Sequence, residues 1–151
     1  MLTPLSGGGD PHPRFFQREE AIKTTWQKNV GATETHYQPN TFTTIHVYEW
    51  ISAPGGSNQH RSVFLRDANV PDMPFSSNEG GDPEKLWSWM QTQRDDGRQV
   101  FAIPHNFHES KGLLFAEARL TGVPIGQKYA ETGGSIRRFS GRGFVKENFV
   151  R

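Results

Sequence analysis

A segment of the chain, residues 43–66, constrains the fold most, because it predicts two strands that meet at one turn. Residues 42–51 are rich in β-branched and aromatic side chains, and they lead to the turn-forming run Pro54-Gly55-Gly56. A second short strand is predicted over residues 62–66. The end of the first strand and the start of the second should therefore lie close together.

Glu49 occupies an unusual place in this segment. Alternation along the first strand puts Glu49 on the same face as Ile45, at the end of an apolar row. An unpaired carboxylate is costly to bury there. Two interpretations follow: Glu49 pairs with an arginine such as Arg61 or Arg66, or it binds a cation for which His60 supplies a second ligand.

Two helices are predicted around this segment. Apolar residues recur at four-residue spacing from Ile22 to Val30, which indicates an amphipathic helix beginning near Gln17. The pattern predicts that this helix is interrupted or ends near Gly31, and a continuation to Tyr37 is the alternative. A second helix is predicted after Asp82, a suitable N-cap followed by proline, and it should end at Gly97.

The order of elements predicts an α/β fold. A short buried strand is predicted over residues 100–103, after the second helix. Strand, helix and strand in this order are typical of a right-handed crossover between neighbouring parallel strands. Sites in such folds lie at the carboxyl ends of the strands, where we expect both Glu49 and His105.

Glu49, His60 and His105 are the candidate metal ligands. One carboxylate and two imidazoles suit Zn, Mn or Fe in a hydrolytic site, where the metal ion activates water. The residue types alone favour a structural interpretation, with Glu49 in an ion pair and the histidines satisfied locally. His108 is a reserve ligand, whereas His46 is expected to face away from Glu49.

Arg61 and Asn106 are the candidate substrate-binding residues. Each follows a candidate metal ligand directly in the sequence, and a guanidinium group matches the geometry of phosphate oxygens. Ordinary surface or capping roles are an equally good interpretation of both.

Length and charge narrow the class of protein. The 151 residues suffice for one domain and are few for a complete barrel, and the absence of cysteine leaves His, Asp and Glu as metal ligands. The segment from Lys128 to Arg151 holds six basic and two acidic residues, leaving eleven basic and fourteen acidic before it. We interpret it as a short solvated tail in preference to a nucleic-acid-binding one.

No secretory signal and no membrane span is visible in the sequence, so no membrane partner is predicted and no compartment is assigned.

Four stretches of the chain resemble one family. They are Phe42–Arg66, Asp72–Ser77, Asp82–Met90 and Ala102–Asn106, and they resemble the domain of unknown function 3604 over about residues 17–132. That family looks like a branch of the polymerase-and-histidinol-phosphatase (PHP) type metal-dependent hydrolases, whose fold is a distorted α/β barrel with two or three metal ions.

The resemblance implies metal-ligand roles at three positions. They are Glu49 in Tyr-Glu-Trp, His60 in Gln-His-Arg and His105 in Pro-His-Asn, and the resemblance outweighs the structural interpretation there. Two further metal-binding elements of the family, an Asp-Leu-His-x-His-Thr-like strand and a Ser-Asp-x-His-like element, are absent from the sequence.

These observations together predict part of a PHP-like domain. We expect a loose leader over residues 1–16, an incomplete PHP-like layer of mainly parallel strands with flanking helices over 17–132, and a basic tail over 133–151. The expected function is that of a fragment of a PHP-like metal-dependent hydrolase acting on a small-molecule ester, with phosphoesters as candidates. Its divalent metal site is expected to be incomplete, and the fragment is expected to be inactive by itself. The alternative is a non-catalytic remnant or binding module. Unpaired sheet edges and exposed aromatic side chains at Phe42, Trp50, Trp87 and Trp89 predict self-association.

Overall fold

The two helices form where the sequence predicts them. In the computed structural model, which describes residues 18–127 and 129–131, helix α1 spans Arg18–His36 and helix α2 spans Pro83–Asp95. The predicted leader over residues 1–16 and tail over 133–151 lie outside the described residues. Neither described helix combines the length and the apolar character that crossing a bilayer requires.

Helix α2 begins and ends with the residues expected of it. The Asp82 side chain accepts a hydrogen bond from the backbone N–H of Glu84 at 2.9 Å, which satisfies a donor that the first helical turn leaves open. Gly97 follows the helix with a φ of +83°, a left-handed conformation that glycine adopts without strain. The prediction for this helix is confirmed at both ends.

The three strands form an antiparallel sheet, so the predicted parallel layer is wrong. Strand β1 spans His46–Trp50, β2 spans Arg61–Leu65 and β3 spans Val100–Pro104, in the order β1-β2-β3. Both β1 and β3 run antiparallel to β2. The chain is α/β in the general sense of mixed helix and strand, but its described residues do not form a parallel PHP-like barrel layer.

The loop between β2 and α2 explains the difference. Gly81, at the end of this loop, accepts a hydrogen bond from the side chain of Ser52, which follows β1. The loop therefore runs from the end of β2 back to the opposite edge of the sheet, where β1 ends, before α2 begins. Helix α2 then returns the chain to the edge where β2 ends, and Arg66 N–H donates to Gln99 O there at 3.2 Å. Strand β3 consequently starts beside the end of β2 and runs antiparallel to it.

One face of the sheet carries the core. Residues directly opposite each other in an antiparallel pair lie on the same face. Trp50 and Arg61 form one such pair, and both are almost completely buried. The helices pack against this face and complete the core with their own side chains, Trp26, Leu86, Trp87 and Met90. Burial of each large apolar side chain contributes about 1.5–3 kcal/mol to stability.

Polar contacts join helix α1 to the rest of this core. The indole N–H of Trp26 donates to the carbonyl of Pro71 at 2.8 Å. His46 is fully buried at the start of β1, and its Nε2 lies 2.7 Å from Oε1 of Glu34. These contacts hold α1 against the start of β1 and the loop that follows β2.

The aromatic side chains are less exposed than the sequence suggested. Trp50 and Trp87 are buried and Trp89 is half-buried, whereas Phe42 is 57% exposed. The prediction of exposed aromatic surface is thus wrong for Trp50 and Trp87, holds for Phe42, and holds only in part for Trp89. Self-association stays a prediction.

Candidate metal centre

Three chain segments meet at one edge of the sheet. Because β1 and β3 are both antiparallel to β2, they point in the same direction, and their ends lie beside the start of β2. Glu49 is near the end of β1, His60 directly precedes β2, and His105 directly follows β3. The expected convergence is therefore present, although the strands that produce it are antiparallel.

Strand alternation places the cluster on the face opposite the core. Glu49 lies across from Ser62; Ser62 stands between two buried residues, and Glu49 stands between a partly buried residue and a buried one. The same alternation turns His46 into the core, as predicted, while Glu49 faces outward. The side chains of His60, His105 and Glu49 are 21%, 34% and 42% exposed. The cluster is therefore partly shielded and still accessible to a ligand.

The three side chains contact one another through a shared oxygen. Glu49 Oε1 lies 2.7 Å from Nε2 of His105 and 3.1 Å from Nδ1 of His60. The two imidazole rings are arranged edge to face, with their centroids 5.8 Å apart. One ligand atom from each of the three residues lies within 4.8 Å of the other two.

This geometry fits a small metal ion. Metal–nitrogen distances of about 2.0–2.1 Å in a tetrahedral zinc site put neighbouring ligand atoms about 3.3 Å apart. Two of the observed separations, 2.7 and 3.1 Å, are somewhat shorter than that spacing, and no pair of these ligand atoms is more than 4.8 Å apart. The Glu49, His60 and His105 group could therefore hold a metal ion.

Backbone contacts fix the segments that carry the histidines. The N–H of His105 donates to the carbonyl of His60 at 3.3 Å, which continues the β2–β3 pairing beyond the strands. The side chain of Asn58 accepts a hydrogen bond from the N–H of His60 at 2.8 Å. Asn106 then turns the chain away from His105 with a φ of +56°. Asparagine tolerates this left-handed conformation better than most residues.

Tyr48, although adjacent to Glu49, belongs to the core. Its ring packs edge to face against Trp26 and against Trp89. Burial raises the pKa of the Tyr48 phenol far above its ordinary value, so the hydroxyl stays protonated. Tyr48 is therefore not part of the Glu49, His60 and His105 cluster.

Comparison with family models identifies the relationship of the chain. Residues 10–139 match the model described as Protein of unknown function (DUF3604). The chain belongs to the DUF3604 family. No curated protein and no solved structure gave a match.

The two candidate substrate-binding residues of this DUF3604 protein, Arg61 and Asn106, differ in their position relative to the cluster. Arg61 is 2% exposed on the core face, where its guanidinium lies 5.6 Å from the ring centroid of Trp50 and donates to the carbonyl of Gln59. A substrate contact through Arg61 stays a prediction that this placement does not support. Asn106 is exposed directly after His105, and its substrate contact also stays a prediction.

Two residues named for the site, His108 and Arg61, lie away from the cluster. His108 is largely exposed and lies 3.6 Å from Glu109, outside the cluster. Glu49 contacts two histidines, while Arg61 faces the opposite side of the sheet. Strand alternation in the sequence could have predicted the burial of Arg61. It places Arg61 on the same strand face as the apolar residues Val63 and Leu65, and on the opposite face from His60.

Proposed function

We propose that the DUF3604 chain uses Glu49, His60 and His105 to hold one divalent metal ion, Zn, Mn or Fe, in a PHP-like hydrolase of ester substrates. Phosphoesters are the favoured substrate class. The observation that supports this proposal is the position of Glu49 Oε1, within 3.1 Å of a ring nitrogen from each histidine.

The roles of the three residues follow from their chemistry. Glu49 would supply the negative charge of the site, and the histidines would supply neutral nitrogen ligands. A metal ion held there would supply Lewis-acid activation of water and of the substrate. Because the cluster lies on the outer face of the sheet, a substrate would approach it from the side opposite the core.

Asn106 would help to orient the substrate. It is exposed and directly follows His105, so its side-chain amide is available to a ligand at the edge of the sheet. An amide offers both donors and an acceptor, which suits the oxygens of an ester or phosphoester.

Three protein ligands are few for a two-metal hydrolytic site, so we expect weak hydrolytic activity. The part of the chain that the structure describes contributes three protein ligands to this centre. That number is enough to bind one ion, but a two-metal site, which clamps both the attacking and the leaving oxygen, requires more. We therefore expect metal binding with little or no turnover by this chain alone. Metal binding without turnover is also the outcome expected of a non-catalytic binding module.

Metal content and hydrolysis, measured together, test the proposal. The purified chain would be loaded with Zn²⁺ or Mn²⁺, desalted, analysed for bound metal and assayed with a chromogenic phosphate ester. Bound metal near one equivalent, lost in Glu49→Gln and His105→Ala, would support the metal centre. Unchanged metal content in both variants would refute it. Turnover lost in the same variants would show an active hydrolase and would exclude both the expected inactivity of this chain and the binding module. Saturated metal without turnover is the expected result, and the binding module predicts it as well.

A further inference from the structure

We propose that Asn58 is a positioning residue for this metal centre, which fixes His60 directly and couples it to the segment that carries His105. This inference rests on the proposed metal-binding function and adds a residue that does not touch the ion.

The contact between Asn58 and His60 is short and shielded. Asn58 Oδ1 accepts a hydrogen bond from the backbone N–H of His60 at 2.8 Å, and Asn58 is only 7% exposed. A side chain that bonds to the backbone two residues ahead forms an Asx-turn, a local structure for which asparagine is well suited. The bond restrains the backbone at His60 and hence the direction in which its ring leaves the chain.

The backbone of Asn58 contacts the second histidine segment. Its N–H donates to the carbonyl of Glu109 at 3.0 Å, four residues beyond His105. The N–H of His105 donates in turn to the carbonyl of His60 at 3.3 Å. The loop before β2 and the turn after β3 are thereby joined by two backbone hydrogen bonds.

Support from outside the ligand set matters in metal sites. Loss of a group that orients a ligand typically lowers metal affinity about 10- to 100-fold, since the ligands must then be ordered when the ion binds. Asn58→Ala removes the acceptor for His60 and leaves all three ligands in place. Asn58→Asp keeps an oxygen in the same position.

The chain offers a matched control for the loss of an Asx-turn. Asp67 Oδ1 accepts from the N–H of Asn69 at 3.0 Å, the same two-residue pattern, beyond the opposite end of β2. Asp67→Ala therefore removes an equivalent local hydrogen bond far from the cluster.

Calorimetric titration with Zn²⁺, together with thermal melting of the metal-free chain, provides the test. We expect Asn58→Ala to bind Zn²⁺ about 10-fold or more weakly, while Asp67→Ala binds as the parent chain does. Asn58→Asp keeps the acceptor and adds a negative charge, so it should bind Zn²⁺ at least as tightly as the parent chain. The visible absorption of bound Co²⁺, which depends on coordination geometry, should change in Asn58→Ala alone. A purely structural role would lower the melting temperature of the variant and leave its Zn²⁺ affinity and Co²⁺ spectrum unchanged, which would overturn the inference.

The outcomes separate this inference from the proposed function. Parental Zn²⁺ binding in Asn58→Ala would refute the role of Asn58 and leave the metal centre intact. No Zn²⁺ binding by the parent chain would refute both. Should Asn58→Ala fail to fold, Asn58→Thr takes its place, because its hydroxyl is a weaker acceptor of the same kind. Its affinity should then fall between the expected extremes, and parental affinity would again contradict the inference.

Discussion

The carboxylate of Glu49 lies 2.7 Å from Nε2 of His105, although β1, which contains Glu49, and β3, which His105 follows, do not pair with each other. Both pair with β2, which makes them point the same way. Because β2 lies between them, the C-terminal ends of β1 and β3 lie on either side of the start of β2, where His60 is located.

The charge of Glu49 should be needed for metal binding. Glu49→Gln keeps the shape of the side chain and removes its charge, so we expect Zn²⁺ affinity to fall by more than about tenfold, since a ligand should matter at least as much as the groups that orient it. Calorimetric titration measures this. Glu20→Gln, at an exposed position of α1, is the control and should bind as the parent does. Equal affinity in both variants would argue against the metal centre.

Two histidines should separate metal binding from stability. His105→Asn should weaken Zn²⁺ binding with little effect on unfolding, because the ring is partly exposed at the edge of the sheet. His46→Asn should do the reverse and lower the free energy of unfolding by about 1–3 kcal/mol, since it removes a buried contact with Glu34. Urea denaturation and zinc titration of both variants check the pair. The prediction fails if His46→Asn lowers zinc affinity as much as His105→Asn.

The N-cap of α2 should contribute measurably to stability. Asp82→Ala removes the acceptor for the N–H of Glu84, and we expect a loss of about 1 kcal/mol in the free energy of unfolding. Asp82→Asn retains an acceptor and should be nearly neutral. Urea denaturation of the two variants measures the difference, and an equal loss in both would contradict the capping role.

Two glycines should respond to the same substitution with opposite signs. Gly97→Ala puts a side chain on a left-handed residue and should cost about 1–2 kcal/mol. Gly31→Ala, inside α1 where a Cβ meets no atom within 4 Å, should stabilise the protein by about 0.8–1 kcal/mol. Thermal or urea unfolding distinguishes the two. Stabilisation by Gly97→Ala would show that the conformation after α2 differs from the one described.

The sequence was sufficient where the rules of structure are local. The capping of α2 by Asp82, its end before Gly97 and the opposite facing of His46 and Glu49 depend on residues a few positions apart. The three candidate ligands were also found from sequence, partly through their residue types and partly through the resemblance to a family. The burial of Arg61 was not predicted, because its position beside His60 was given more weight than the strand alternation that places it on one face with Val63 and Leu65.

Strand direction, by contrast, depended on the path of the chain through space. A strand, a helix and a strand in sequence are compatible with parallel or antiparallel pairing, because the loop over residues 66–82 can end at either edge of the sheet. The contact of Ser52 with Gly81 fixes that edge, and with it the direction of β3. Sequence alone determined the helices, the outward face of β1 and the residue types of the cluster, since these follow from alternation, capping and side-chain chemistry. Only the tertiary structure decided that Glu49, His60 and His105 meet and that Arg61 is buried, because both depend on contacts between segments far apart in the chain.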